Sequence, residues 1–377
     1  MGACDRCLRR TWLLERLGGH LDFRAERIEL VLAAPTETLL AGWLEVETRR
    51  RRRRPKEGSV PRPADLPAGY ERFDRTRARA QRRAAAAAGL DLVCRCDPAY
   101  PERLRRLDAP PAVLHVAGGL RRFLDLAAAD PVAIVGTRRP TLYGSDVAGR
   151  LGRDLSLSGL TVISGLATGV DAAAHRGALT GGGRALAVLP GCAAEPYPRA
   201  NRQLHRRLVD TGAVVSELGP GASVRRWTLV ARNRLIAALS ELTVVVQAGT
   251  RSGSLRTAEF AQAAGGRVGA VPGSVLIPQS EGPHELLRRG ACLIHNAQDI
   301  LDAVCGVGVR PAAPRPAAVG LGRPQREVLD AIRAGADTVA ALAAQGVGGG
   351  GLLALLGELE LAGCLRRQPG GRYVTDG

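Results

Sequence analysis

Apolar positions along the chain change period twice. Near the N-terminus they recur at helical spacing: Leu8, Trp12, Leu13 and Leu17 in "CLRRTWLLERLG" fall on one helix face. Shorter helical patterns follow over Ala25–Leu32 and Thr36–Leu44, and another fills "DRTRARAQRRAAAAAG" up to Gly89. From Asp91 the texture becomes strand-length apolar runs between helix-length segments: "PVAIVG", "LTVISG", "ALAVLPG", "AVVSE", "LTVVVQA" and "VGAVPG". The runs are continuous rather than alternating and end in Gly or a polar residue, which predicts strands buried on both faces of a parallel sheet. The helical period returns over Gln325–Ala334, Thr338–Gln345 and Leu352–Ala362, and "LRRQPGGRYV" then reads as a hairpin turning at Pro-Gly-Gly. Three helices and a hairpin predict a winged helix.

Two breaks separate these textures. "RRRRRRPKEGSVPRPADLPAG" repels itself and carries helix-breaking Pro, so it predicts a solvated linker or arm. "RPAAPRPAAVGLGRP" predicts a second linker. The expected organisation is an N-terminal helical domain over 1–47, an Arg-rich arm over 48–90, a sheet domain over 91–308, a Pro/Ala linker over 309–323 and a winged helix over 324–377. Composition changes the picture in one respect. The net charge of +17 and pI near 10.8 point to a polyanionic partner. Residues 49–83 hold 14 Arg and Lys against 4 Asp and Glu, so +10 of the charge sits in that segment. Every basic residue except Lys56 is Arg, as a G+C-rich genome would bias it. Aromatics are 3% of the chain, so the core must be built from Ala, Val and Leu. No run of 18 apolar residues predicts a membrane-spanning helix. The charged N-terminus lacks an apolar leader, and eight scattered Cys read as mostly reduced thiols, so a cytoplasmic protein is expected.

Candidate chemistry gathers where strands end. "VAIVG" opens like a dinucleotide-binding turn, but "GTRRP" replaces the expected G-x-G-x-x-G. Gly136 permits close approach of backbone to an anion, and Arg138 and Arg139 add charged forks suited to phosphate. The alternative is a plain strand–turn–helix with solvated Arg. Pro140 fits the first position of the following helix. In "ISGLATGVDAAAHRGAL", Ser164, Gly165, Thr168, Gly169 and Asp171 make room for a ligand, with Asp171 able to cap the helix. His175 lies one helical turn after Asp171; a structural Asp–His pair is favoured over acid–base catalysis, since no nucleophile accompanies it. Arg232 and Arg234 flank Asn233, and their spacing turns them to different sides, one to pack or pair and one to meet a ligand. "GTRSGSLRTAE" supplies a second anion cradle at Ser252, Gly253 and Ser254. Several cradles with several Arg suit a chain of phosphates better than a mononucleotide, and no Walker Lys or metal-spaced acidic pair is present.

Read in order, "VAIVGTRRPTLYG", "SGLATGVDAAAHRGAL", "AVLPGC…EPYPRANRQL", "GAVVSE", "RNRLIAALSELTVVVQA", "SGSLRTA" and "GRVGAVPGS" resemble the DNA-processing protein DprA (Smf) family over about 130–300. The final segment is similar to that family's winged-helix tail, and residues 1–47 are generically like its SAM/HhH-like N-terminal domain. The resemblance implies an α/β, Rossmann-like open parallel sheet core that binds single-stranded DNA, protects incoming strands in natural transformation and promotes loading of RecA recombinase. It implies a homodimer, no cofactor, no membrane insertion and no enzymatic activity. The family's G-[ST]-R signature falls on Gly136, Thr137 and Arg138, its S-G-x-A-x-G-x-D loop on Ser164, Gly165, Ala167, Gly169 and Asp171, and its R-N-R motif on Arg232, Asn233 and Arg234. The chain departs from the family at Val230-Ala231, where Phe-Pro is common, at Gln247 in place of Glu, and around Pro283-His284. Losing an aromatic beside the Arg motif removes a stacking surface worth about 1–3 kcal/mol per base.

Three further readings stand beside this one. A Rossmann-like nucleoside-monophosphate phosphohydrolase would use Glu259 of "GTRSGSLRTAE" as its catalytic residue. A regulator would read duplex DNA through its winged helix, yet Leu352–Ala362 carries Glu358 and Glu360 and no basic residue, while Arg366, Arg367 and Arg372 sit on the wing. A packing or protein-contact role suits that domain better. Finally, Cys4-x-x-Cys7 has zinc spacing, with Cys94-x-Cys96, or His20, to complete a site. C-x-C is not a usual zinc pair and more than eighty residues intervene, so free cysteines are the expectation.

Overall fold

The computed structural model describes residues 2–18, 25–39, 75–312, 322–361 and 364–375. The six-Arg run, residues 40–44 of the third N-terminal pattern, residues 313–321 of the Pro/Ala linker and His20 lie outside them. The chain divides into two compact units, Met1–Ala312 and Ala313–Gly377.

The larger unit is built on a nine-stranded sheet in the order β1-β2-β6-β5-β4-β3-β7-β8-β9. The six expected runs all form strands: β3 (Val132–Val135), β4 (Val162–Ser164), β5 (Ala185–Val188), β6 (Ala213–Ser216), β7 (Leu242–Val245) and β8 (Arg267–Ala270). They run parallel, and the short β9 (Cys292–Leu293) joins them. β1 (Asp91–Cys94) and β2 (Val113–Ala117) were not singled out by the pattern; they add an antiparallel edge beside β6, so the sheet is mixed. Both faces are dry. Along β3, Val132 and Ile134 enter one core cluster while Ala133 and Val135 enter the other, the two-residue alternation of a strand covered on both sides. With few aromatics, covering helices approach through small residues. A Cβ on Gly152 of helix Leu142–Leu157 would lie 2.2 Å from the Ala174 carbonyl oxygen of helix Val170–Thr180.

The chain winds outward from β3 through β4, β5 and β6 in one direction, and from β7 through β8 and β9 in the other. The reversal falls between β3 and β7, and loops leaving the carboxyl ends of strands diverge there into a crevice.

The N-terminal helices do not form the separate domain expected over 1–47. Ala3, Cys7 and Leu8, at the start of helix Asp5–Gly18, share a core cluster with Leu92 and Cys94 of β1. Ile28 and Leu32 of helix Ala25–Ala33 pack with Trp227 and Ala231. Helix Arg75–Ala87 likewise belongs to the core and not to a solvated arm over 48–90: its Ala78 and Ala85 are buried, and Arg82 donates to the Ala3 carbonyl and pairs with Asp5 at 2.5 Å. An Ala-rich face lets this helix lie close, which its Arg content obscured.

In the smaller unit, helices Arg323–Arg333, Val339–Ala344 and Leu352–Leu361 precede a hairpin of β10 (Leu365–Arg367) and β11 (Tyr373–Thr375), which turns at the left-handed Gly370 and Gly371. Val328, Ile332, Leu342, Leu356 and Tyr373 close its core. Arg366, Arg367 and Arg372 are exposed on the hairpin, and Arg372 faces Asp337 at 3.6 Å.

Candidate nucleic-acid interface

At the β3/β7 reversal the strand ends enclose a groove of about 740 Å³. Its lining includes Gly136, Thr137, Arg138 and Arg139 after β3, Ala167 and Asp171 after β4, Arg232 and Asn233 on helix Arg226–Leu239, and Ser252, Gly253 and Ser254 at the start of helix Gly253–Ala263. Stretches more than a hundred residues apart in sequence thus meet at one place. Three further arginines, Arg226, Arg251 and Arg256, complete the wall. Arg251 lies inside "GTRSGS" and Arg226 is the first residue of the R-N-R helix, but neither follows a motif that would single it out. The lining therefore carries six Arg and one carboxylate, Asp171. Arg256 faces Glu259 at 3.6 Å, whereas no described carboxylate pairs with Arg138, Arg139 or Arg251.

The loops are braced by protein atoms, which corrects several expectations. The small residues were expected to make room for a ligand; they make room for each other's loops. A Cβ on Gly136 would meet Val170 at 2.7 Å, one on Gly169 (φ +84°) would lie 2.4 Å from the Thr137 carbonyl, and one on Gly165 would overlap the Arg232 guanidinium at 1.1 Å. Ser164 is fully buried and donates to the Ile134 carbonyl at 2.6 Å, so it does not face the groove. Asp171 does not pair with His175 or cap its helix, whose N-cap is Gly169. Its carboxylate accepts from the Gly165 and Ala167 N–H groups at 3.1 and 3.4 Å, pinning the loop; Leu166 between them holds a left-handed φ of +55° that a bulky residue adopts only when surroundings over-determine it. Burial pushes the Asp171 carboxyl up, and nearby Arg232 opposes this. Burial likewise holds His175 neutral, pushed down to about 3.

Arg232 and Arg234 do turn to different sides, but neither is an open ligand hand. Arg234, 6% exposed, forms a buried ion pair with Glu217 at 2.5 Å and does not line the groove, contrary to its expected place among phosphate contacts. Its charge is already spent. Arg232, 7% exposed, lies over Gly165 and forms part of the groove floor. Asn233 donates to the Gly253 carbonyl at 3.1 Å, tying its helix to the second cradle, and the Ser252 and Ser254 hydroxyls bond each other at 2.7 Å. Pro140 precedes rather than begins helix Leu142–Leu157. Thr141 is the N-cap, accepting from Gly144 at 3.2 Å, and Gln247 holds it in place through the Thr141 N–H at 2.9 Å. Gln247 is thus a structural tie between the β7 end and the first phosphate-loop candidate. Leu229 and Val230 give the groove an aliphatic patch where a stacking aromatic was missing.

Residues 91–305 match the family model of DNA recombination-mediator protein A. The chain belongs to that family. A Mycobacterium tuberculosis protein named for DNA processing protein DprA is 41% identical over 269 residues, covering 69% of this chain and 68% of that one. Among solved structures, the Streptococcus pneumoniae DprA superposes with a TM-score of 0.57 at 27% identity, covering 80% of this chain and 98% of that one. DNA processing protein A of Helicobacter pylori, whose structure is described for its single-stranded DNA binding mode, gives 0.52 at 29% identity, covering 58% of this chain and 97% of that one. In this DprA-family chain the nine-stranded sheet and the matched segment coincide, so the groove lies wholly within the family's shared part. Glu259, the catalytic candidate of the phosphohydrolase reading, stands on an exposed helix face beside Arg256 and outside the groove lining.

Proposed function

We propose that this chain is a recombination mediator whose switch-point groove binds the phosphate backbone of single-stranded DNA, protecting incoming strands in transformation and delivering them to RecA. One observation carries the reading: six Arg and a single carboxylate line a groove at the point where strand order reverses. A polymer of phosphates needs repeated cationic contacts over a length, whereas a dinucleotide pyrophosphate lies against bare glycine backbone. Here the glycines are filled by neighbouring loops and arginines provide the charge.

Arg138, Arg139 and Arg251 are the hands in this reading, with Arg232 beneath them giving the floor a fixed positive charge. Helix Gly253–Ala263 adds the partial positive charge of its N-terminus. The role asks for binding without turnover, consistent with Glu259 standing apart. It also asks for a homodimer acting in the cytoplasm; no helix among the described residues is long and apolar enough to cross a membrane.

The test is an equilibrium titration of labelled single- and double-stranded oligonucleotides of several sequences at two salt concentrations. Single-stranded DNA should bind more tightly whatever its sequence. Arg138→Ala should weaken it and reduce the log–log salt slope by about 0.7 for one lost phosphate contact. Unchanged affinity and slope in Arg138→Ala would remove this loop from the interface. Release of free base from a nucleoside monophosphate would instead revive the phosphohydrolase reading.

A further inference from the structure

The groove does not use the cysteines. Four of the eight nevertheless converge: the sulfurs of Cys4, Cys7, Cys94 and Cys96 all lie within 4.8 Å of one another, with Cys7 and Cys96 3.6 Å apart. Cys192, Cys292, Cys305 and Cys364 take no part. A zinc ion with Zn–S bonds of about 2.3 Å places its tetrahedral sulfurs roughly 3.8 Å apart. A four-iron cluster sits between its thiolates and spreads them wider.

We propose that Cys4, Cys7, Cys94 and Cys96 form a structural zinc site that staples the N-terminal helix to the sheet edge. The spacing objection dissolves in the fold. Cys4 and Cys7 straddle the start of helix Asp5–Gly18, the usual three-residue offset of a zinc knuckle. Cys94 ends β1, and Cys96 follows in the turn. The Asp97 N–H donates to the Cys94 carbonyl at 2.8 Å, so the chain turns over residues 95 and 96 and brings the Cys96 sulfur back toward Cys94. The sequence gap between the pairs is closed by β1 lying against the helix.

The surroundings suit thiolates bound to a cation. The Cys4 N–H points to the Cys94 sulfur at 3.5 Å, and the Arg6 guanidinium donates to the Cys96 sulfur at 3.3 Å. Such donors orient metal-bound thiolates, and the Arg charge offsets the net negative charge of four thiolates on one zinc. Burial is graded: Cys7 and Cys94 are buried, Cys4 is half-buried and Cys96 is exposed. The ion is therefore shielded from the core side and reachable from solvent. The staple is placed where the apolar core is thin, because beyond Leu8 the first helix relies on a small cluster around Leu13 and Leu39.

The experiment uses the full chain, without an affinity tag, purified under reducing conditions. Elemental analysis should find about one zinc per chain, and cobalt(II) substitution should produce the intense sulfur-to-metal absorption of a four-thiolate tetrahedral site. Cys96→Ser, at the exposed ligand, should lose zinc to a chelator at least about tenfold more readily, while Cys292→Ser should retain it. Chelation should lower the midpoint of thermal unfolding of the wild type and leave a Cys7→Ser variant unmoved. If Cys7→Ser fails to fold, the wild-type zinc content and cobalt spectrum still decide. Absence of stoichiometric zinc together with no cobalt spectrum would overturn the proposal, as would an iron cluster or a Cys7–Cys96 disulfide in the purified protein.

Discussion

Helix Arg226–Leu239 separates two cavities and sends one arginine toward each. Arg232 faces the groove of about 740 Å³ at the carboxyl ends of the strands, and Arg234 faces a larger cavity of about 950 Å³ at their amino ends. Volume alone would favour the second. Its lining includes Arg103, Arg106, Arg234 and Arg267, but each is engaged: Arg103 with Glu241, Arg106 with Glu102, Arg234 with Glu217 and Arg267 with the Ala303 carbonyl. In the groove, Arg138, Arg139 and Arg251 face no described carboxylate. A guanidinium whose charge is paired or whose donors are taken within the protein has less left to offer a phosphate. Unspent charge, rather than space, marks the ligand side.

The largest expected effect strikes the spent side. Glu217→Ala strands the Arg234 charge in the interior and should cost about 3–5 kcal/mol of stability by denaturant unfolding. Glu217→Leu combined with Arg234→Met should recover most of that, and single-stranded DNA binding should survive in the double variant. Loss of binding there would return Arg234 to the interface and break the contrast.

Acid should act next, through two buried histidines, His175 on the helix below the groove and His115 on β2. His175 is pushed down to about 3 and His115 to about 4 by burial, against an ordinary 6.5. Below about pH 6.5 the unfolded chain takes up protons that the folded chain refuses, so stability should fall on acidification, by on the order of a few kcal/mol at pH 4. Asp171 and Glu217, pushed up by burial, soften the decline as they protonate. Unfolding curves between pH 7 and pH 4 should be flatter for His175→Gln; an unchanged slope would show that His175 is not the group responsible.

Gly165→Ala places a methyl on the Arg232 guanidinium and should cost about 1–3 kcal/mol through overpacking, with weaker single-stranded DNA binding as the guanidinium is displaced. Normal affinity in a folded Gly165→Ala protein would separate Arg232 from the ligand. The smallest effect tests the comparison itself. Arg251→Ala should weaken single-stranded DNA binding by about threefold to tenfold, and Arg103→Ala at the other cavity should not. Equal losses would mean that the overall field of the protein, not the groove, supplies the attraction.

Much of the sheet was legible because it is buried on both faces. Continuous runs such as "VAIV" and "LTVVV" satisfy two cores at once, and their Gly ends mark the loops. β1 and β2 were missed because "DLVC" and "VLHVA" lie outside the βαβ rhythm, as antiparallel edge strands. Of the site, Gly136, Arg138, Arg139, Asp171 and Asn233 were placed by motif and do reach the groove. Ser164, Gly165, Gly169 and Arg234 belong to the same motifs and serve its bracing. A motif records that residues are needed, not whether they meet the ligand or each other. Arg226 and Arg251 show the converse, since their value depends on where a helix or loop starts in space.

By itself the sequence determined the parallel core, the strand ends that carry chemistry, the basic character and the family, because each is written in local period or short motifs. Only tertiary structure decided which arginines remain unspent, since that depends on carboxylates such as Glu217, seventeen positions from Arg234. It also joined the N-terminal helices to the sheet core and closed a gap of more than eighty residues to gather four sulfurs. Charge neutralisation and metal geometry are set by distances across the fold, and no linear spacing encodes them.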